Sequence, residues 1–202
     1  TSQKNEFVEA IRTDFRGRSS HETIGAEIFT LVTSIKHTLY HLDDWVEASE
    51  KEVSWVFWPA YLEIRPQPLG VVGIISPWNY PMSLALIPLL AAIAAGNRAL
   101  VKPSEHTPQT SALLQTVVTE VFPKDVVQVL QGEVEMAVAF SNLPFDHLFF
   151  TGSTEVGGYF LKYSSESNLK PVALEMGGKS PFIVLEDAKI TDDLIDNAMN
   201  SA

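Results

Sequence analysis

The octet LEMGGKSP, Leu174 to Pro181, sets a carboxylate, Glu175, and Met176 directly before two glycines, Gly177 and Gly178. Apolar runs flank it, Val172–Ala173 before and Phe182–Leu185 after, and both read as strand. Paired glycines let a backbone approach another group with no Cβ in the way. The glutamate is then either a solvated turn residue or a general base held beside a ligand. Four other stretches carry comparable chemistry. In SPWNYP, Ser76 to Pro81, prolines bracket Trp78 and Asn79. A turn fixed in that way can aim an amide at a developing oxyanion, or can be a rigid aromatic loop. In KPSE, Lys102 to Glu105 around Ser104, a cation and an anion three residues apart can bind a sugar diol or form a solvated surface pair. A carboxylate on a ribose would also repel a 2′-phosphate. In FTGSTEVG, Phe150 to Gly157, Gly152 permits a close turn, and Ser153 or Thr154 can cap a helix whose free N–H groups suit a phosphate. The spacing there is G-x-x-x-x-G rather than G-x-G-x-x-G. QGEVE, Gln131 to Glu135, contributes Gly132.

The elements that must position these residues follow from periodicity. Strands are predicted at 71–76, 99–102, 126–130, 147–150 and 172–175, with helices at 82–95, 108–121, 133–140 and 154–163 between them. Gly96-Asn97 is a helix stop. Short apolar strands alternating with helices predict an α/β fold, a Rossmann-like parallel sheet with helices on both faces. Right-handed crossovers then bring every strand's C-terminal end, and every stretch named above, to one rim. Before Gly70 the pattern differs. Ile24, Ile28, Leu31, Val32, Ile35, Leu39, Leu42 and Trp45 space an amphipathic helix over 22–45, with Ser19 or Ser20 as its cap. SWVFWPAYLEI, 54–64, reads as an edge strand or hairpin around Pro59, and RPQPLG as an extended linker. A last helix is expected over 190–199. The division expected is a helix-and-hairpin segment at 1–69, a Rossmann-like domain at 70–178 and the start of another domain at 179–202.

Among 202 residues, 25 acidic against 14 basic give a formal charge of -11, which opposes nonspecific binding to nucleic acid or to an anionic membrane. There is no cysteine, hence no disulfide and no thiolate metal site, and no metal site is expected. The longest apolar run is broken by Pro88 and is too short to span a bilayer, and no leader peptide is visible. The chain opens on Thr1 rather than Met, and a piece of a longer gene product is expected.

The stretches GVVGIISPWNYP, AAGNRALVKPSE, FTGSTEVG and LEMGGKSP, in this order and spacing, resemble the NAD(P)-dependent aldehyde dehydrogenases from about Leu69 to about Asp187. The N-terminal segment ending LDDWVEASEK resembles the class-three and coniferyl-aldehyde-dehydrogenase-like members. The resemblance implies that Asn79 stabilises the oxyanion and that Glu175 is the general base. It implies that Lys102 and Glu105 bind the adenosine ribose, that Gly152 and Ser153 face the pyrophosphate, and that Val156 flanks the adenine. Ser76, Trp78, Ser104, Gly132, Met176 and Gly177 complete the implied NAD site, with NADP as a second cofactor; Met176 stands where the family more often has Leu. The implied substrate is an aldehyde, the implied assembly a homodimer, and the implied location the cytoplasm. The family's nucleophilic cysteine lies downstream of the position of Glu175, beyond Ala202. This chain by itself is therefore expected to be inactive. A natural NAD-binding homologue with a regulatory or structural role is the alternative.

Overall fold

In the computed structural model, residues 3–167, 170–178 and 181–201 are described. The chain begins with α1 (Lys4–Asp14), α2 (Ser20–Glu22) and α3 (Thr30–Val46), the last two joined through a π-helical turn at Thr23–Phe29. A hairpin follows, β1 (Ser49–Lys51) antiparallel to β2 (Leu62–Ile64). Then come β3 (Val71–Ile75), α4 (Ser83–Ala94), β4 (Arg98–Lys102), α5 (Pro108–Val121), β5 (Val127–Val129), α6 (Val134–Ser141), β6 (His147–Gly152), α7 (Thr154–Ser167), β7 (Val172–Met176) and α8 (Asp192–Ser201). The last five strands form one parallel sheet in the order β5-β4-β3-β6-β7.

The strands are apolar on both faces because both faces are covered. Val72, Ile74, Ala99, Val101, Val127 and Val129 turn to one side, against Leu89 of α4, Leu114 and Val118 of α5, and Phe7 and Ile11 of α1. Ile75, Leu148 and Phe150 turn to the other, against Phe140 of α6 and Phe160 of α7. Gly73 sits where a side chain on the second face would collide with the Phe145 ring, 2.6 Å from a built Cβ. The end of α4 is fixed by Gly96 at φ +79, which lets its N–H reach the Ile93 carbonyl while the Asn97 N–H reaches that of Ala92.

The α/β fold, the N-terminal helix and the hairpin are as the sequence predicts, with several differences in detail. Only the end of the 54–64 stretch is strand: β2 closes it and pairs with β1, which precedes it, while 55–57 is a single 3₁₀ turn in the segment that joins the two. Pro59 offers no N–H for a ladder there. Phe182–Leu185 is not a strand. It pairs with no strand among the described residues, and its apolar side chains are exposed. The helix α1, whose Phe7 and Ile11 enter the core, is absent from the sequence reading; its apolar positions are few and the helix is short. In the following helix the apolar stripe is not fully buried. Thr23, Glu27 and Thr38 are buried, while Leu39 and Trp45 are exposed. A π turn adds a residue to one helical turn and so rotates the face that meets the core.

Candidate active site

In this strand order the chain proceeds outward from β3 to β4 and β5, then returns to the opposite side of β3 with β6. The reversal opens a crevice at the C-terminal ends of β3 and β6, the place where open α/β sheets bind ligands. Ser76 leaves β3 at this point. Its N–H donates to the Lys102 carbonyl at 3.1 Å, and its buried hydroxyl has no hydrogen-bond partner among the described residues. A buried hydroxyl left unpaired costs roughly 1–3 kcal/mol, so this one is poised for a ligand group.

One strand over, Lys102 ends β4 with its side chain only 3% exposed. Its Nζ donates to the Pro103 carbonyl at 3.2 Å and to Glu105 Oε2 at 2.9 Å. The two are thus a half-buried ion pair, not a solvated one. Burial pushes the Glu105 carboxyl up. A backbone N–H, the Lys102 hydrogen bond and charge, and His106 outweigh that and hold it below the usual glutamate range. Ser104 is buried and organises the same turn: its carbonyl accepts from Ser111 Oγ at 3.0 Å, and its hydroxyl accepts from the His106 N–H at 3.2 Å.

After β6, Ser153 caps α7, its hydroxyl accepting from the Val156 N–H at 3.3 Å. The capping interpretation of this turn therefore holds, and the remaining free N–H groups still point out of the helix start. A Cβ on Gly152 would lie 2.5 Å from the Phe150 ring, so this glycine is required by its own strand's phenylalanine. A Cβ on Gly157 would lie 3.1 Å from Met176 Sδ, which places Met176 against the first turn of α7. Val156 and Ser153 are exposed at that helix start. Gly132 follows the edge strand β5 at the outer end of the same rim, where a Cβ would meet Met136 at 2.5 Å.

Glu175 lies within β7, in register with Thr151 of β6, and is exposed. The Gly177 N–H reaches the Gly152 carbonyl at 3.4 Å, tying the end of β7 to that of β6. Among the described residues, nothing but their own chain neighbours lies within 4 Å of a Cβ built on Gly177 or Gly178. Lys179 and Ser180 of the octet fall outside the described residues.

Asn79 is exposed on the turn after β3, next to Trp78, whose ring lies 6.1 Å from that of Phe15. Two residues that the sequence reading passed over hold this turn. Arg18 Nη1 donates to the Asn79 carbonyl at 2.6 Å, and its guanidinium lies 4.5 Å from the centre of the Tyr80 ring. Glu27, fully buried, accepts from the Met82 and Ser83 N–H groups at 2.8 and 3.1 Å, where α4 begins. Burial pushes the Glu27 carboxyl above its ordinary range, against those two N–H groups and Arg18, which pull it down. One signal was available in the sequence. Glu27 sits on the apolar stripe between Ile24 and Leu31, where a carboxylate has to find a partner.

The sequence pattern of the "Aldehyde dehydrogenase family" matches residues 2–202. The chain belongs to the aldehyde dehydrogenase family. It is 46% identical over 190 residues to the "Probable coniferyl aldehyde dehydrogenase" of Pseudomonas aeruginosa, covering 94% of this chain and 40% of that protein. The substrate-bound structure of Staphylococcus aureus AldH superposes with a TM-score of 0.85 at 39% identity, over 89% of this chain and 39% of that one. The NAD+ complex of an aldehyde dehydrogenase from Bacillus cereus superposes at 0.81 with 30% identity, over 98% of this chain and 39% of that one. The chain thus spans about two-fifths of the length of the aldehyde dehydrogenases it matches.

The polar groups on this rim fit the dinucleotide of such aldehyde dehydrogenases. The Ser76 hydroxyl, which has no partner among the described residues, the Lys102–Glu105 pair and the capped start of α7 set along one rim a hydroxyl, an ion pair of the kind that can bind a diol and a helix terminus of the kind that can hold an anion.

Proposed function

We propose that this chain is the cofactor-binding part of an enzyme that oxidises an aldehyde to a carboxylic acid, with NAD preferred and NADP accepted. On this reading residues 70–178 form the cofactor domain, residues 1–69 brace it, and residues 179–202 begin the catalytic domain of a cytoplasmic homodimer. The observation that carries the reading is the common rim. The Ser76 hydroxyl, the Lys102–Glu105 pair, the Ser153-capped helix start, the exposed Asn79 and the exposed Glu175 lie at or just beyond the C-terminal ends of β3, β4, β6 and β7.

Lys102 and Glu105 take the adenosine ribose, with Ser104 shaping their turn. Gly152 and Ser153 face the pyrophosphate, and Val156 lies along the adenine. Ser76, Trp78, Gly132, Met176 and Gly177 line the remainder. Bound there, the nicotinamide supplies the hydride acceptor. The Asn79 amide donates to the substrate oxygen as negative charge builds on it. Glu175 removes a proton from the water that cleaves the thioester formed on a cysteine of the full-length enzyme, which these 202 residues do not contain. A base at Glu175 favours hydrolysis to the acid over transfer to phosphate or coenzyme A.

The test is Glu175→Gln in the full-length enzyme, followed by stopped-flow NADH absorbance. The expected result is a burst of about one equivalent per site followed by slow turnover. A variant that turns over at the parent rate refutes the base role, and one that loses the burst as well assigns Glu175 to the step before hydride transfer.

A further inference from the structure

We propose that Arg18 is the positioning residue of the oxyanion turn, acting on Asn79 through that residue's backbone; this rests on the oxyanion role proposed for Asn79. An oxyanion donor is effective only if its amide is already in place when charge develops, because reorienting it would cost much of the gain. Asn79 lies on an exposed turn between Ser76 and Pro81, where a contact from outside the turn can add to the hold of the bracketing prolines. The connection between α1 and α2 supplies it.

The Arg18 side chain is 7% exposed. Nη1 donates to the Asn79 carbonyl at 2.6 Å, and Nη2 donates to Glu22 Oε1 at 2.7 Å. Its plane is flanked by Phe15, 4.6 Å from that ring's centre, and by Tyr80 at 4.5 Å. Tyr80 is the next residue after Asn79, so the same guanidinium grips the turn at two consecutive positions. Nη1 also lies 3.6 Å from Glu27 Oε1, while Glu27 Oε2 holds the Met82 and Ser83 N–H groups. The turn is thereby held at Asn79–Tyr80 by Arg18 and, where it enters α4, at Met82–Ser83 by Glu27. Arg18 is itself delivered by a helix stop: Arg16 adopts φ +55, and the Gly17 N–H closes on the Arg12 carbonyl at 2.9 Å. A planar fork suits this post, since it satisfies a carbonyl and a carboxylate at once while stacking between two rings.

The experiment is a double-mutant cycle in the full-length enzyme, reading the pre-steady-state burst rate, the KM for NAD and the thermal midpoint. Arg18→Met is expected to slow the burst roughly tenfold to a hundredfold, the scale of a misplaced catalytic group, with the KM for NAD within about twofold. In an Asn79→Ala background the same substitution is expected to cost almost nothing, because the group it positions is gone. Arg18→Lys keeps the charge but cannot span the carbonyl and Glu22 together; it is expected to melt near the parent and still burst slowly. Equal losses from Arg18→Met in both backgrounds, or a parent-like burst in Arg18→Lys, overturn the positioning role while leaving Asn79 in place. An Asn79→Ala enzyme with an unchanged burst overturns the oxyanion reading itself, and this proposal with it.

Discussion

Glu105 shows how one side chain can tie cofactor choice to pH. Its carboxyl ends a half-buried pair with Lys102 Nζ at 2.9 Å and is held below the usual glutamate range despite its partial burial. A carboxylate kept ionised at the ribose would repel a 2′-phosphate. Glu105→Gln in the full-length enzyme is therefore expected to raise the NADP-to-NAD ratio of kcat/KM, and an unchanged ratio refutes the ribose role. The same residue carries a stability signature. The native carboxyl binds its proton less tightly than that of the unfolded chain, for which the ordinary value is 4.5. Its contribution is therefore complete above that value and lost as pH falls through the depressed native one. Urea titrations of this chain and its Glu105→Gln variant, run from neutral pH downward, are expected to show a stability gap that closes on the acid side of 4.5. A gap that is constant or widens toward acid contradicts the pairing.

At the scale of elements, caps from distant sequence hold the helices that carry the rim. The start of α5 was legible because Pro108 occupies its first turn, where a missing N–H costs nothing. Its cap was not legible. Asp14, at the end of α1, accepts from the Gln109 and Thr110 N–H groups at 3.0 and 2.8 Å and from Thr110 Oγ1 at 2.7 Å. Glu27 serves α4 in the same way. Asp14→Ala is expected to destabilise the chain by about 0.5–2 kcal/mol, the usual worth of a helix cap, read as a lower urea midpoint with an unchanged slope. No change would mean that solvent satisfies those N–H groups equally well.

At the scale of the whole molecule, apolar surface stands out. The hairpin tip exposes Trp55 at 79% and Trp58 at 75%, with Val56, Phe57 and Tyr61 beside them. Phe182, Ile183, Val184 and Leu185 form a second exposed run. Contiguous apolar patches larger than a few hundred Å² are rare on monomers and drive association. The 202-residue chain is expected to self-associate in size-exclusion chromatography with light scattering, and a Trp55→Ser/Trp58→Ser variant to do so less. A monodisperse monomer at micromolar concentration refutes this.

The sequence by itself determined the parallel sheet, its helices and the rim, because strand and helix periods and turn residues are local properties of the chain. It also singled out Asn79, Lys102, Glu105 and Glu175 as candidates, since each lies within a short, distinctive stretch. Other features were decided only by the tertiary structure. The aromatic run at 54–58 became a hairpin tip rather than a strand, and Phe182–Leu185 stayed unpaired, because strand formation depends on a neighbour that the local sequence does not specify. Gly152 is a glycine because the Phe150 ring fills the space of its Cβ. Arg18, Glu27 and Asp14 bind backbone groups more than fifty residues away. Their partners are mainly backbone N–H and C=O groups, which nearly every residue carries and which leave no mark in the sequence, so only the fold that brings the segments together could identify them.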